Sequence, residues 1–200
     1  MKTILFLLLL LSSFPLLADI YYEITYQKGT VEISRESKIV APPIKVGDRI
    51  KVSKGGLLIL KGQGEVIKLM GDTIIKPMIT KEGTLIDLVK GAVVSLITKK
   101  SFHVRTKNTV FAVRGTQFFV SASEGKDAWM CVQEGVVNVR KKSKSVDVPA
   151  GKGVFVDAKE ISKPQAYAWT KGINWKMDPK DGQLDHKLKL KYDLLENFYD

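Results

Sequence analysis

Glycine cuts residues 20–157 into short runs of β-branched and aromatic side chains, and this punctuation limits the fold more than any other feature. Tyr22-Glu23-Ile24-Thr25-Tyr26 alternates, and Lys28-Gly29 turns into Val31-Glu32-Ile33. Ala41-Pro42-Pro43 breaks the pattern before Ile44–Val52. Gly55-Gly56 leads to Leu57–Leu60, Gly62-Gln63-Gly64 to Val66–Leu69, and Gly71-Asp72 to Thr73–Lys76. Thr84–Val89 and Ala92–Ile97 flank Lys90-Gly91. Val, Ile, Thr and aromatic side chains suit a pleated, half-buried surface. Strands spaced by about 8–12 residues with turn signals between them predict an all-β sandwich or roll. The glycine-led openings at Gly29, Gly83, Gly91, Gly115 and Gly135 recur irregularly, so no repeat array is expected. Core candidates are Ile24, Val31, Ile33, Ile50, Val52, Val66, Leu69, Leu88, Val104, Val113, Phe118, Val132, Val137 and Val139.

The stretch Val104–Val120 reads as two strands joined at Arg114-Gly115-Thr116. Phe102, Val104 and Thr106 alternate, as do Val110, Ala112 and Arg114. Glycine inside a strand pattern marks a bulge, a bend or close backbone approach. Gly115 and Thr116 are therefore a structural corner. Arg114 either pairs locally within that corner or faces a ligand as a free cation.

Seven elements in order carry a resemblance. They are Gly29-Thr30-Val31-Glu32-Ile33, Val46-Gly47-Asp48-Arg49-Ile50, Gly91-Ala92-Val93 and Ser101-Phe102-His103-Val104-Arg105-Thr106. Val113-Arg114-Gly115-Thr116-Gln117-Phe118-Phe119-Val120, Glu134-Gly135-Val136-Val137-Asn138-Val139 and Pro149-Ala150-Gly151-Lys152-Gly153 complete them. Together they resemble the FecR-domain family of bacterial envelope proteins. The resemblance implies a jelly-roll-like antiparallel β-sandwich; a short β-helix is the alternative. Full-length family members resemble transmembrane regulators: a cytoplasmic anti-sigma segment, one membrane helix and a periplasmic domain that senses an outer-membrane receptor. Here the signal-like segment comes first, so direct sigma-factor and iron signalling are not expected to carry over. A periplasmic sensing or docking domain is.

The first 18 residues read as a secretory signal: Lys2, an apolar run from Ile4 to Leu11, then Ser12, Ser13, Pro15 and Ala18 before Asp19. The run is shorter than the roughly 20 apolar residues a membrane span needs. The expected division is therefore 1–18 signal peptide, 19–160 β domain and 161–200 C-terminal appendage. The expected location is periplasmic or secreted. Cys131 is the single cysteine, so no intramolecular disulfide is available; its strand setting suits a buried small hydrophobe.

A net charge of +11 suits acidic partners at the envelope. The densest basic group is Arg140, Lys141, Lys142 and Lys144, a solvated hairpin loop or a polyanion contact. Nucleic acid is not an expected partner, since no platform of interleaved aromatic and basic residues is present. Catalysis needs a positioned acid, base, nucleophile or metal. His103 and His186 are the two histidines, without metal-ligand spacing, and no phosphate loop or nucleophile elbow occurs. No catalytic residue, metal or cofactor is expected, and the chain reads as a non-enzyme.

After Pro164 the texture changes. Trp169 and Trp175 stand among polar residues as candidate anchors for a partner or for the chain's own domain. Leu184, Leu188, Tyr192, Leu195 and Tyr199 fit one helical face, predicting a helix over 184–199. The function expected from the residues is an exported sensing, docking or scaffolding module that contacts an envelope protein or cell-wall polymer. The alternative is charge-driven binding of polyanions.

Overall fold

A computed structural model describes residues 21–98, 101–113, 115–123, 128–167 and 170. The signal-like segment, Arg114, Trp169, Trp175 and the helix expected over 184–199 lie outside the described residues.

Strands dominate, as the glycine punctuation requires. In chain order they are β1 (Tyr21–Lys28), β2 (Val31–Arg35), β3 (Lys38–Ile39), β4 (Ile44–Lys45), β5 (Arg49–Val52), β6 (Leu57–Lys61), β7 (Glu65–Leu69) and β8 (Ile74–Thr80). Then come β9 (Gly83–Ile97), β10 (Phe102–Arg105), β11 (Val110–Val113), β12 (Thr116–Ala122), β13 (Ala128–Glu134), β14 (Val136–Lys141), β15 (Lys144–Pro149) and β16 (Gly153–Val156). Hydrogen bonds join all 16 into one sheet. Among the described residues, no helix is long and apolar enough to cross a membrane.

The 15-residue strand β9 organises the sheet. Its first half pairs with β8 and β10, and its second half with β7 and β12. Two leaves result. Leaf I runs β1-β6-β7-β9-β12-β13-β16, and leaf II runs β3-β2-β5-β8-β9-β10-β11-β14-β15. Gly91 sits where β9 passes from one leaf to the other, with φ +93°. A Cβ there would lie 2.4 Å from the Thr73 Cα, so only glycine allows the approach. Thr73 staples the bend. Its Oγ1 accepts from the Ala92 N–H at 2.9 Å and donates to the Ala92 carbonyl at 3.2 Å.

The pairing corrects the antiparallel expectation in one place. β10 runs parallel to β9, Phe102 opposite Thr84 through Arg105 opposite Asp87, so the sheet is mixed. The reason is topological: β10 comes after β9 has left for leaf I, and re-enters leaf II in the same direction. Every other pair of strands among the described residues is antiparallel. A β-helix, which stacks parallel strands, is excluded for this region.

The leaves share one core. Leu58, Leu60, Ile67, Leu69, Val93, Phe118, Val120 and Met130 of leaf I meet Ile50, Ile75, Ile86, Leu88, Phe102, Val104, Phe111 and Val139 of leaf II. Phe102 and Phe118 touch edge-to-face across the layer, ring centres 6.4 Å apart. Of the expected core positions, Val66 is displaced. Glu65, Ile67 and Leu69 share the inward parity of β7, and Val66 points the other way, half-buried.

Candidate functional site

The outward parity of leaf II carries the polar residues. Strand register aligns Lys76, Asp87, Arg105, Val110, Arg140 and Ser145 in one cross-strand row. The next row is Met78, Leu85, His103, Ala112, Asn138 and Asp147. Alternation dictates this. On β10, Phe102 and Val104 enter the core, so His103 and Arg105 must face outward.

Arg105 donates from Nε to Asp87 Oδ1 at 3.0 Å, and its terminal nitrogen lies 3.8 Å from the Met78 sulfur. That carboxylate hydrogen bond raises the Arg105 guanidinium above its ordinary value against a smaller desolvation effect, so it is a permanent cation. At the other end of the rows, Asn138 Nδ2 donates to Ser145 Oγ at 2.9 Å and Asp147 Oδ1 at 2.6 Å.

A groove of about 400 Å³ opens on this face, lined by Thr80, Lys81, Glu82, Leu85, His103, Arg105 and Val110. The β8–β9 turn forms one wall. Its shape is set by Thr80, whose Oγ1 donates to the Gly83 carbonyl and accepts from the Glu82 N–H. His103 is 8% exposed, and its Nε2 lies 3.7 Å from Glu82 Oε2, beyond hydrogen-bond range. Burial lowers the His103 pKa below its ordinary 6.5 and Arg140 lowers it further, against the opposing pull of Glu82 and a backbone hydrogen bond with Thr84. The groove therefore offers the His103 imidazole, the Arg105 guanidinium paired with Asp87, the Lys81 ammonium and the Glu82 carboxylate around the apolar floor of Leu85 and Val110. Among the described residues no three His, Cys, Asp or Glu side chains gather as metal ligands.

The basic residues singled out from the sequence divide. Lys142 and Ser143 form the two-residue turn between β14 and β15, Lys142 with φ +52°. Arg140, Lys142 and Lys144 are exposed. Lys141 is not: it is 5% exposed, and its Nζ donates to the Asp157 carbonyl. Lys141 therefore leaves the solvated basic group, because strand alternation turns it away from Arg140. Gly115 has φ +59° with open space where a Cβ would be, so backbone handedness alone asks for glycine. The chain passes from β11 in leaf II to β12 in leaf I at this point. Thr116 is buried against the Glu134-Gly135 turn: a Cβ on Gly135 would lie 2.6 Å from Thr116 Cγ2 and 2.7 Å from the Gly115 carbonyl. Two of the sequence signatures thus pack directly on each other.

Three features escaped the sequence reading. The Asp87–Arg105 pair and the His103–Glu82 approach join residues about 20 positions apart through the parallel β9–β10 register. The readable signal was parity, since the polar residues of β9, β10 and β14 sit opposite the core positions. The third feature is Glu65, 3% exposed and accepting from the Tyr22 hydroxyl at 3.2 Å. Burial, then the neighbouring carboxylate, push the Tyr22 phenol far above its usual range. Cys131 is fully buried, and desolvation pushes its thiol up to about 12 against a weaker hydrogen bond from Gln133, so it acts as a small hydrophobe.

Residues 48–138 match the family model described as FecR protein. Two crystal structures of a proposed anti-sigma factor from Parabacteroides distasonis ATCC 8503 share the fold. Their TM-scores are 0.54 and 0.55, at 20% and 21% sequence identity. In each case the match covers 62% of this chain and 62% of the other. No curated protein matches.

Proposed function

We propose that this chain, which carries a FecR domain over residues 48–138, is an exported, non-enzymatic sensing and docking module of the cell envelope. Its partner is an envelope protein or cell-wall polymer that lies along the outer face of leaf II. The observation that carries the reading is the groove between the β8–β9 turn and the His103–Arg105 rows, which falls wholly within the matched residues. The description of the fold neighbours as proposed anti-sigma factors supports a role in signal transduction. A jelly-roll-like sandwich, a cleaved signal over 1–18, a periplasmic or secreted location and a helical appendage over 184–199 belong to the same proposal.

The test is co-sedimentation of the protein with separated envelope fractions at low and high salt, with an Arg105→Gln variant beside it. Capture by one fraction that survives salt and weakens in the variant supports docking through the groove. Capture that disappears with salt and ignores Arg105 favours the second reading, a polyanion contact through the exposed Arg140, Lys142 and Lys144 edge. No capture by any fraction overturns both.

A further inference from the structure

A line of cations crosses the outer face of leaf II. On β5 the pattern Arg49-Ile50-Lys51-Val52 alternates exposed and buried, so Arg49 faces outward. The antiparallel register that pairs Ile50 with Ile75 sets Arg49 beside Lys76. Lys76 then enters the row that runs through Asp87, Arg105, Val110 and Arg140. Ser34 on β2, opposite Arg49, and Ser145 on β15, opposite Arg140, stand at its two ends.

Charge in this row is unbalanced. Its carboxylate, Asp87, is engaged by Arg105. Among the described residues Arg49, Lys76 and Arg140 are exposed and form no salt bridge. Arg105 bonds Asp87 through Nε while 42% of its side chain stays in solvent, so further guanidinium donors remain for a ligand. Five strand intervals separate Arg49 on β5 from Arg140 on β14, about 24 Å.

The shape of the row selects its partner. Adjacent strands rotate by roughly 20–25°, so five intervals turn the outward direction by roughly 100–125° about the row. A flat lipid surface cannot meet both ends of such a line, whereas a flexible chain can wind along it. The strands it crosses, from β5 to β14, are paired on both sides, so no edge is open for an extended peptide. No aromatic side chain shares the row, so bases find no ring to stack on. Ser34, Ser145 and the neighbouring Asn138 supply hydroxyl and amide groups that match sugar hydroxyls.

We propose that an acidic polysaccharide lies across the strands of leaf II, its carboxylates meeting Arg49, Lys76, Arg105 and Arg140 in turn. The assignment rests on the reading of this face as the docking surface and names the class of polymer. It also carries the contact beyond the groove, since Arg49, Lys76 and Arg140 are not among the groove's lining residues.

The test titrates the full chain with sodium oligogalacturonates of increasing length. Affinity should rise until an oligomer spans about 24 Å and level off beyond it. Arg49→Gln combined with Lys76→Gln should weaken binding about tenfold, from about threefold per exposed charge. Lys142→Gln combined with Lys144→Gln, on the hairpin beside the row, should change it by less than about twofold. Equal melting temperatures show that both double variants keep the fold. Equal losses from the two pairs overturn the proposal, as does equal affinity for an oligothymidylate of the same charge. Tighter binding to vesicles of phosphatidylcholine and phosphatidylglycerol in equal parts also overturns it. If envelope fractions capture the protein through Arg105 while oligogalacturonate does not bind, this assignment fails and the docking reading stands.

Discussion

Arg35 grips Asp48 with two hydrogen bonds, Nε to Oδ1 at 2.7 Å and its terminal nitrogen to Oδ2 at 2.8 Å. Asp48 is fully buried and also accepts from the Lys45 N–H at 2.8 Å. The pair ties β2 to the turn between β4 and β5. Burial pushes the Asp48 carboxyl up, but the hydrogen bonds from Arg35 and Lys45 outweigh it and hold the group below 3.8.

Asp48 is therefore a source of acid sensitivity. Its folded pKa is depressed, so its contribution to stability is present above pH 3.8 and is lost as pH falls through the lower folded value. Asp48→Asn should flatten the loss of stability in that window. Arg35→Ala should be the more harmful change at neutral pH, since it strands a buried carboxylate. A fully buried pair costs about 3–5 kcal/mol to break; partial exposure of Arg35 brings the expected loss to about 2–3 kcal/mol. Urea denaturation of both variants across pH checks the order and the slope.

His103 should titrate below 6.5 in the folded protein. Its folded pKa is lowered, so the unfolded chain binds the proton first. The stability that neutral His103 contributes is present above pH 6.5 and is lost as pH falls through the folded value. Arg140→Gln should raise the folded value and Glu82→Gln should lower it further. An NMR titration reads all three, and a midpoint above 6.5 in the unaltered protein would falsify the groove electrostatics.

Gly91→Ala should be a severely damaging single methyl. It meets a strained φ and a backbone atom at 2.4 Å together, at the strand that serves both leaves. The expected loss is about 3 kcal/mol or more, seen as a large fall in Tm. Gly115→Ala meets only the φ penalty and should cost about 1–2 kcal/mol.

Within the basic hairpin, Lys141→Ala should stand apart from its neighbours. Removing Nζ leaves the Asp157 carbonyl without that donor and exposes a gap where a buried stem had packed. The expected loss is about 1–3 kcal/mol. Lys142→Ala and Lys144→Ala, both at exposed positions, should stay within about 0.5 kcal/mol. Parallel thermal melts distinguish the three.

Parity was legible wherever one face of a strand is uniformly apolar. Ile33, Ile50, Val52, Leu88, Val104, Val113, Phe118, Val132, Val137 and Val139 were readable as core, and all are buried. It failed on β7, where both parities carry an aliphatic residue: Val66 and Ile67 are adjacent, and only the pairing of Ile67 with Ser95 and Leu60 settles which turns inward. Glu65 escaped notice for a related reason. A glutamate after Gly64 reads as the rim of a turn, yet its parity is that of Ile67 and Leu69. The candidate groove was less legible still, because its walls belong to β8, β9, β10 and β11, and nothing local announces that β10 lies parallel to β9.

The order of residues dictates the local part of this fold: short strands, glycine at the positions that need φ above zero, and the side of each strand that is apolar. These come from steric preferences of single residues and from a repeat of two, which any few residues express. The choice of neighbouring strands belongs to the folded chain as a whole. Folding bent β9 across two leaves, set Asp87 beside Arg105 and His103 near Glu82, turned Lys141 inward, and made the outer face of leaf I apolar and that of leaf II polar. Those outcomes depend on register between segments distant in the chain, where the free energy of burying a shared core selects one pairing among many that local preference allows equally.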